Sequence, residues 1–370
     1  MKVAVIYNEP RNTASEDHWL RRSDPGYHPP TKDLIDASET GVIEQMLSIK
    51  DALREHGHEV IVFSANDDAG RLCSFLSKEK PQVIFNCCES IMGQSKLEMN
   101  VAAMYELFGI SYTGSTPLAL GIALDKALTK SIFAAHGIST PRHQLFSARS
   151  GKKADAVDPT LRFPLIVKPV NEDASIGIDV NAIVHDEQAL LKRVRFVQKE
   201  FDQPALAEEY IDGRELNVAL LCTSDSSSGS INFETLPISE ITFDGMPEGS
   251  PRIVSYEAKW VEDSPLYQTT IPKCPADLPD EVASEARSIA LRAANAIGLR
   301  DYARVDIRMD AQQNLFVLEA NPNPDISEDA GFMRAAGASG RTFAGTINEI
   351  LDRAVARSRE ARFDKSKFIS

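Results

Sequence analysis

Two strand-forming runs late in the chain constrain its fold more than any other feature. Residues 302–309 and 314–319 are separated by Asp310-Ala311-Gln312-Gln313, a polar link of hairpin length. Side chains alternate faces along a strand, so Arg304 and Asp306 share one face while Val305 and Ile307 take the other. Glu319 and Asn321 share a face of the second run in the same way. A short turn between the runs brings Asp306 close to Glu319. Two carboxylates, a carboxamide oxygen and a guanidinium then converge, bounded by apolar Val305, Ile307, Val317 and Leu318. Oxygen-only ligands select a hard cation, and a site open to phosphate suits Mg²⁺ or Mn²⁺. Any one of these residues alone reads as a cross-strand charge pair on a wet face; the four together favour the metal.

The first third alternates strand and helix. Residues 3–7, 59–63 and 83–86 read as strands. Residues 42–56 and 97–108 read as helices, closed by Gly57 and Gly109. Short connections between such units imply a parallel sheet covered by helices. The polar stretch from Asn8 to about Ser38 is long for a loop and is expected to cover a site. Further helices are expected at 125–136, 186–201, 279–298 and 342–353. Strand signals lie at 164–169, 205–210, 215–222, 230–236 and 257–259, with a hairpin-like turn at 223–229.

Lys168 closes the apolar run 164–167, and Lys126 opens a helix after Leu124-Asp125. A lysine at the mouth of a sheet reaches phosphate as a point charge. The small polar loop 170–179 can offer backbone N–H groups to phosphate oxygens, although no Walker A loop occurs. Glu208 to Glu215 combines a strand end with acids, which can read an adenine edge and a ribose hydroxyl. The seven histidines show no metal-ligand spacing, and no Ser-His-Asp order appears. Cys87 and Cys88 follow a strand and read as small apolar packing.

Lys plus Arg is 40 and Asp plus Glu is 54, a net charge of −14 that argues against nucleic acid and anionic membrane as partners. Five cysteines without a C-x-x-C pair suit a reducing, cytoplasmic setting. No apolar run approaches the roughly 18 residues of a membrane span.

Taken in order, these pieces resemble the ATP-grasp ligases, and among them the D-alanine–D-alanine ligase group. The resemblance is carried by Tyr112-Thr113-Gly114-Ser115 with Leu124-Asp125-Lys126, and by Ile166-Val167-Lys168-Pro169 with Ser175-Ile176-Gly177. Glu208 to Ile211 with Gly213 and Glu215, then Glu257-Ala258-Lys259, Arg304-Val305-Asp306 and Glu319-Ala320-Asn321-Pro322 complete it. It spans roughly residues 1–355. It implies an ATP-grasp fold, mixed α/β and α+β, preceded by a Rossmann-like parallel-sheet domain. The expected pieces are 1–115, a substrate domain; 116–204, a central subdomain with a phosphate flap; 205–355, a subdomain with the metal site; and 356–370, a frayed charged tail.

The resemblance also implies roles. Lys126 and Lys168 hold ATP phosphates, and Lys259 reaches them from a covering loop at about 257–268. Glu208 and Ile211 flank the adenine, with Glu215 on the ribose. Asp306, Glu319 and Asn321 hold two Mg²⁺ (or Mn²⁺) ions. Arg304 sits over the reacting carbonyl, and Ser175 belongs to the flap. The family's reaction converts a small-molecule carboxylate to an acyl phosphate, which an amine attacks; a homodimer through the N-terminal domain is also implied. This chain departs from the pattern on the substrate side. Asn8-Glu9-Pro10-Arg11-Asn12 replaces a glycine- and serine-rich motif, Ala174-Ser175 replaces two serines, and Trp260 replaces a tyrosine. Asp325 lies in a stretch, 322–332, more acidic than the family's acceptor motif. Glu89, in Asn86-Cys87-Cys88-Glu89-Ser90, is placed to hold an ammonium. The expectation is an amide-forming ligase with an altered substrate pocket. A genuine D-alanine–D-alanine ligase and a non-catalytic ATP-binding module are the alternatives.

Overall fold

The computed structural model describes residues 1–8, 34–66, 68–92, 94–147, 156–225 and 231–367. The polar segment expected to cover a site and the turn at 223–229 lie largely outside these residues. The chain begins with β1 (Lys2–Tyr7), α1 (Leu34–Glu55), β2 (Glu59–Ser64), α2 (Ala69–Glu79), β3 (Val83–Cys87), α3 (Glu98–Leu107) and β4 (Ser111–Tyr112). The four strands pair in parallel in the order β2-β1-β3-β4, and the helices are the crossovers that parallel pairing requires. α2, which the sequence reading passed over, sets Leu72, Phe75 and Leu76 on one face; Asp68 starts it by accepting the Gly70 N–H at 2.7 Å.

Both faces of this sheet are covered, as its apolar strands demand. Ala4, Ile6 and Ile84 pack with Leu72 and Leu76 of α2 and Val101 and Tyr105 of α3. Val3, Val5 and Phe85 pack with Ile49 and Leu53 of α1, and with Ile347, Ile350 and Leu351 from the end of the chain. Cys87 and Cys88 are buried, one in each core, as packing residues.

The middle of the chain supplies α4 (Pro117–Leu124), α5 (Lys126–Ala135), β5 (His143–Phe146), β6 (Leu165–Pro169), β7 (Ile183–Val184), α6 (Glu187–Glu200) and β8 (Ala205–Glu209). Asp125 caps α5 by accepting the Leu128 N–H at 2.9 Å, which fixes where Lys126 begins the helix. The strands form an antiparallel sheet in the order β5-β8-β6-β7. One face, with Leu165, Val167, Ala205 and Ala207, packs on Leu190, Val194 and Val197 of α6. The other carries Lys168 and Glu208. β8 pairs inside this sheet, so the expected boundary at 204/205 cuts a sheet in two; we place it after Glu209.

The third part contains β9 (Arg214–Asp225), β10 (Ile231–Thr235), β11 (Ser239–Thr242), α7 (Tyr256–Trp260), α8 (Pro265–Gln268), β12 (Ile271–Lys273), α9 (Asp280–Ile297), β13 (Tyr302–Met309) and β14 (Leu315–Asn321). The sheet order is β12-β11-β9-β13-β14, with β10 beside β9. The Val282-Ala286-Ile289-Ala293 stripe of α9 covers Leu216, Val218, Val305 and Ile307. Residues 257–259, which read as strand, are the helix α7, because Ser255 Oγ accepts the Ala258 N–H at 3.2 Å and caps it.

The last elements are α10 (Gly331–Ala338) and α11 (Phe343–Lys367). The expected tail at 356–370 is thus corrected: α11 runs to Lys367, and Arg357 within it is tied down. Its guanidinium pairs with both carboxylate oxygens of buried Asp301 and donates to Tyr112 O at 2.7 Å. Asp301 also accepts the Gly114 N–H at 2.8 Å, so one carboxylate joins α11, the start of β13 and the link after β4.

Candidate active site

The large sheet turns one face to a cleft, and its residues form rows. Ser239, Asn217, Asp306 and Glu319 are register partners across β11, β9, β13 and β14. The next row holds Ala219, Arg304 and Asn321. Asp306 pairs with Glu319 while Ile307 pairs with Val317, so Leu318 is an extra residue: a β-bulge. Strict alternation from buried Leu315 and Val317 would send Glu319 and Asn321 toward α9. The bulge uses up one residue, so Ala320 faces the core and Glu319 and Asn321 face the cleft.

Asp306 is the centre of the arrangement. Its Oδ1 accepts from Arg304 Nε at 2.7 Å and Asn217 Nδ2 at 2.7 Å. Its Oδ2 accepts from Arg304 Nη2 at 2.8 Å and Asn321 Nδ2 at 3.0 Å. Burial works against the Arg304 charge, but Asp306 outweighs it and raises the guanidinium above its ordinary range. No hydrogen bond reaches the Glu319 carboxylate among the described residues. Burial opposes its charge too, yet Lys126, Lys168, Arg304 and Lys259 together hold it well below the usual carboxylate range.

The opposite wall supplies lysines. Lys126 Nζ donates to Glu172 O and lies 3.5 Å from Asp173 Oδ1. Burial disfavours its charge, but Asp173 and Glu319 more than restore it. Lys168 Nζ is 3.1 Å from Glu208 Oε1, and a second lysine, Lys130, reaches the same oxygen at 3.2 Å. Burial would raise the Glu208 pKa, but the two cations lower it. Further along, half-buried Ile211 follows β8, and Glu215 is ion-paired with Arg308 at 2.8 Å.

Residues 172–178 meet the segment carrying α7. Ala174, Ser175 and Gly177 have left-handed backbones, with φ of 53°, 62° and 78°. A Cβ on Gly177 would lie 2.6 Å from Pro169 Cγ, so the bend requires glycine for space as well as for φ. Ser175 Oγ donates to Val254 O at 2.8 Å, Trp260 Nε1 to Ala174 O at 3.0 Å, and the Tyr256 N–H to Ile178 O at 2.9 Å. Lys259 Nζ stands 4.8 Å over the Trp260 ring. Burial and nearby Arg304 lower its pKa.

On the N-terminal side, the Glu89 N–H donates to Asn8 Oδ1 at 2.8 Å. Glu98 accepts from Asn323 Nδ2 at 3.3 Å; burial, Asp173 and Glu89 push its pKa up. Asp325 is exposed, and its Oδ1 is taken by the N–H and hydroxyl of Ser327 at 2.8 and 2.7 Å.

The structure therefore gathers Lys126, Lys168, Lys259, Arg304, Asp306, Glu319 and Asn321 about one cleft. Glu208 sits between lysines and Glu215 beside an arginine, while exposed Glu89 and Asp325 lie at its edge and act on Lys259 by charge. The sequence reading missed Asn217, Arg308, Lys130 and Glu98. Parity would have found two of them: Asn217 shares the face of Glu215, and Arg308 that of Asp306. Lys130 is one helical turn beyond Lys126.

A family model described as "D-ala D-ala ligase C-terminus" matches residues 132–352. An uncharacterized protein, y4sG, of Sinorhizobium fredii is 35% identical over 82% of this chain and 85% of its own length. A D-alanine--D-alanine ligase of Sphingopyxis alaskensis is 31% identical over 83% and 91%, and one of Bordetella petrii 34% over 68% and 70%. Among solved structures, a D-alanine--D-alanine ligase of Bacillus anthracis, complexed with ATP, superimposes with a TM-score of 0.70 at 20% identity, covering 98% of this chain and 99% of that one. Fold and homology together define an ATP-dependent carbon–nitrogen ligase with an ATP-grasp fold. Within that class, the chain belongs to the D-alanine–D-alanine ligase family.

Proposed function

We propose that this ligase joins a small carboxylate to an amine through an acyl phosphate, and that its substrates are not two D-alanines. The observation that carries the chemistry is Glu319: a carboxylate on the Asp306 row, facing four cations from two parts of the chain. The donor set fits a hard divalent ion, since Asp306, Glu319 and Asn321 offer oxygens and Glu319 is not bonded to any group among the described residues. These three residues would hold Mg²⁺ or Mn²⁺, which when bound neutralises phosphate charge and steadies transfer.

The chain's own residues do the rest. Lys126, Lys168 and Lys259 draw the phosphates in. The acid's oxygen takes the γ-phosphoryl group and ADP leaves. The amine then attacks the acyl carbon, loses a proton, and expels phosphate. Arg304, held in a fixed plane by Asp306, stabilises the oxyanion of that step, typically worth a few kcal/mol. The contacts of Ser175, Trp260 and Tyr256 close residues 172–178 over the cleft and keep water from the acyl phosphate. Glu208, Ile211 and Glu215 line the adenine and ribose end.

The acceptor side supports the altered pocket. Glu89 and Asp325 approach it, and the Ser327 hydroxyl is turned onto Asp325. That wall repels a free α-carboxylate and suits a cationic amine. The five cysteines are unpaired, which supports a reducing, cytoplasmic setting; a homodimer is part of the same reading. ADP release is measured over a panel of carboxylates and amines with Mg²⁺. Turnover with a cationic acceptor and little with D-alanine is expected. Rapid D-alanyl-D-alanine synthesis would return the protein to the activity named for its relatives, and nucleotide binding without turnover would make it a binding module.

A further inference from the structure

Lys130 has no task in the reaction as written, yet it is the most completely buried lysine of the cleft, 0% exposed. It stands one turn after Lys126 on the same face of α5. An ammonium has three protons to donate, and one carboxylate as ion partner and two hydrogen-bond acceptors meet this one. They are Glu208 Oε1 at 3.2 Å, Thr140 Oγ1 at 2.7 Å and Leu318 O at 3.3 Å. Each leads to a working part. Glu208 Oε1 also holds Lys168. Leu318 is the bulge residue next to Glu319 and has no register partner on β13. Thr140 Oγ1 passes a hydrogen bond on to Val317 O at 2.9 Å, while the Val317 N–H donates to Ser139 O at 2.8 Å.

We propose that Lys130 is a positioning residue that joins the two halves of the nucleotide site. Through Glu208 it fixes the phosphate lysine Lys168; through the Leu318 carbonyl it fixes the bulge that turns Glu319 into the cleft. The small sheet and the large sheet are thus tied at one ammonium. A carbonyl displaced from a ladder and left without a donor in a buried place is costly, and Lys130 is the donor here. Burial lowers its pKa to about 8 even with Glu208 beside it, a penalty that a space-filling residue would not carry. The inference rests on reading the cleft as a magnesium-nucleotide site.

Calorimetric titration of the full chain with a non-hydrolysable ATP analogue tests it, with and without Mg²⁺. Lys130→Met fills the volume but leaves Glu208 with one cation and Leu318 without a donor. Its nucleotide affinity is expected to fall about tenfold with Mg²⁺, the usual scale for groups that orient metal ligands, and less without the metal, when only Lys168 is affected. Thr140→Val keeps the charge and removes one anchor of the bulge. It is expected to weaken the Mg²⁺ titration about threefold, the scale of one hydrogen bond, and to leave the metal-free titration unchanged. It decides the question if Lys130→Met does not fold. Variants that melt earlier but bind within twofold of wild type in both titrations overturn the proposal. A wild-type chain that binds no nucleotide overturns the ligase reading itself.

Discussion

The Arg357–Asp301 pair offers a quantitative test of how the molecule is held together. Asp301 is 0% exposed, and Arg357 supplies two of the donors to its carboxylate; the Gly114 N–H supplies a third. The same guanidinium also bonds Tyr112 O. Arg357→Met keeps the stem and removes all three guanidinium bonds, leaving a buried carboxylate with a single neutral donor. Breaking one side of a buried pair costs about 3–5 kcal/mol, because the remaining charge is stranded. For a chain of this size about 2 °C of melting temperature goes with each kcal/mol, so a fall of roughly 6–10 °C is expected. Asp301→Asn with Arg357→Met should recover part of the loss, since no full charge is then buried. The assay is thermal and urea unfolding of both variants and of a chain ending at residue 355. A single-variant change below about 1 kcal/mol, the scale of exposed pairs, would refute the argument and restore the view of 356–370 as a dispensable tail.

Two further outcomes follow from the cleft. Glu319→Gln should abolish substrate-dependent ADP release. Because the Glu319 pKa is depressed in the fold, its stabilising charge is fully present above the unfolded value of about 4.3 and is lost as pH falls through the folded one. The stability gap between wild type and variant, measured by urea unfolding, should therefore be constant at neutral pH and close in acid; a gap independent of pH contradicts it. Trp260→Phe keeps the ring but loses the bond to Ala174 O, worth about 1 kcal/mol. Phosphate released without amide formed should rise in that variant, and an unchanged ratio would show that the indole does not hold residues 172–178 closed.

Much of this site was legible because strand parity and helix spacing act locally. Arg304 with Asp306, and Glu319 with Asn321, were placed on common faces by alternation alone, and Lys126 by the Asp125 cap. The bulge was not legible: nothing in Val317-Leu318-Glu319 announces an extra residue. It exists because Thr140 and Lys130, far away in sequence, take the carbonyls that β13 does not. Parity sets Asn217 on the face of Glu215, but its place beside Asp306 depends on which strand β13 lies against. Residues 257–259 alternate like a strand, but a serine one position before the helix decided otherwise. The reach of α11 past residue 353 was hidden because its apolar stripe fades there while Arg357 finds a buried partner 56 positions earlier.

The N-terminal sheet carries one more implication. Its Val3, Val5 and Phe85 face is completed by Ile347, Ile350 and Leu351, so a growing chain lays down these strands long before their cover is translated. Until the last helix emerges from the ribosome, α1 covers that face only in part, and the remainder is an adhesive surface for chaperones to shield. The oldest part of the polypeptide is then the last to mature, and the enzyme cannot assemble its lobes one after another in order of synthesis.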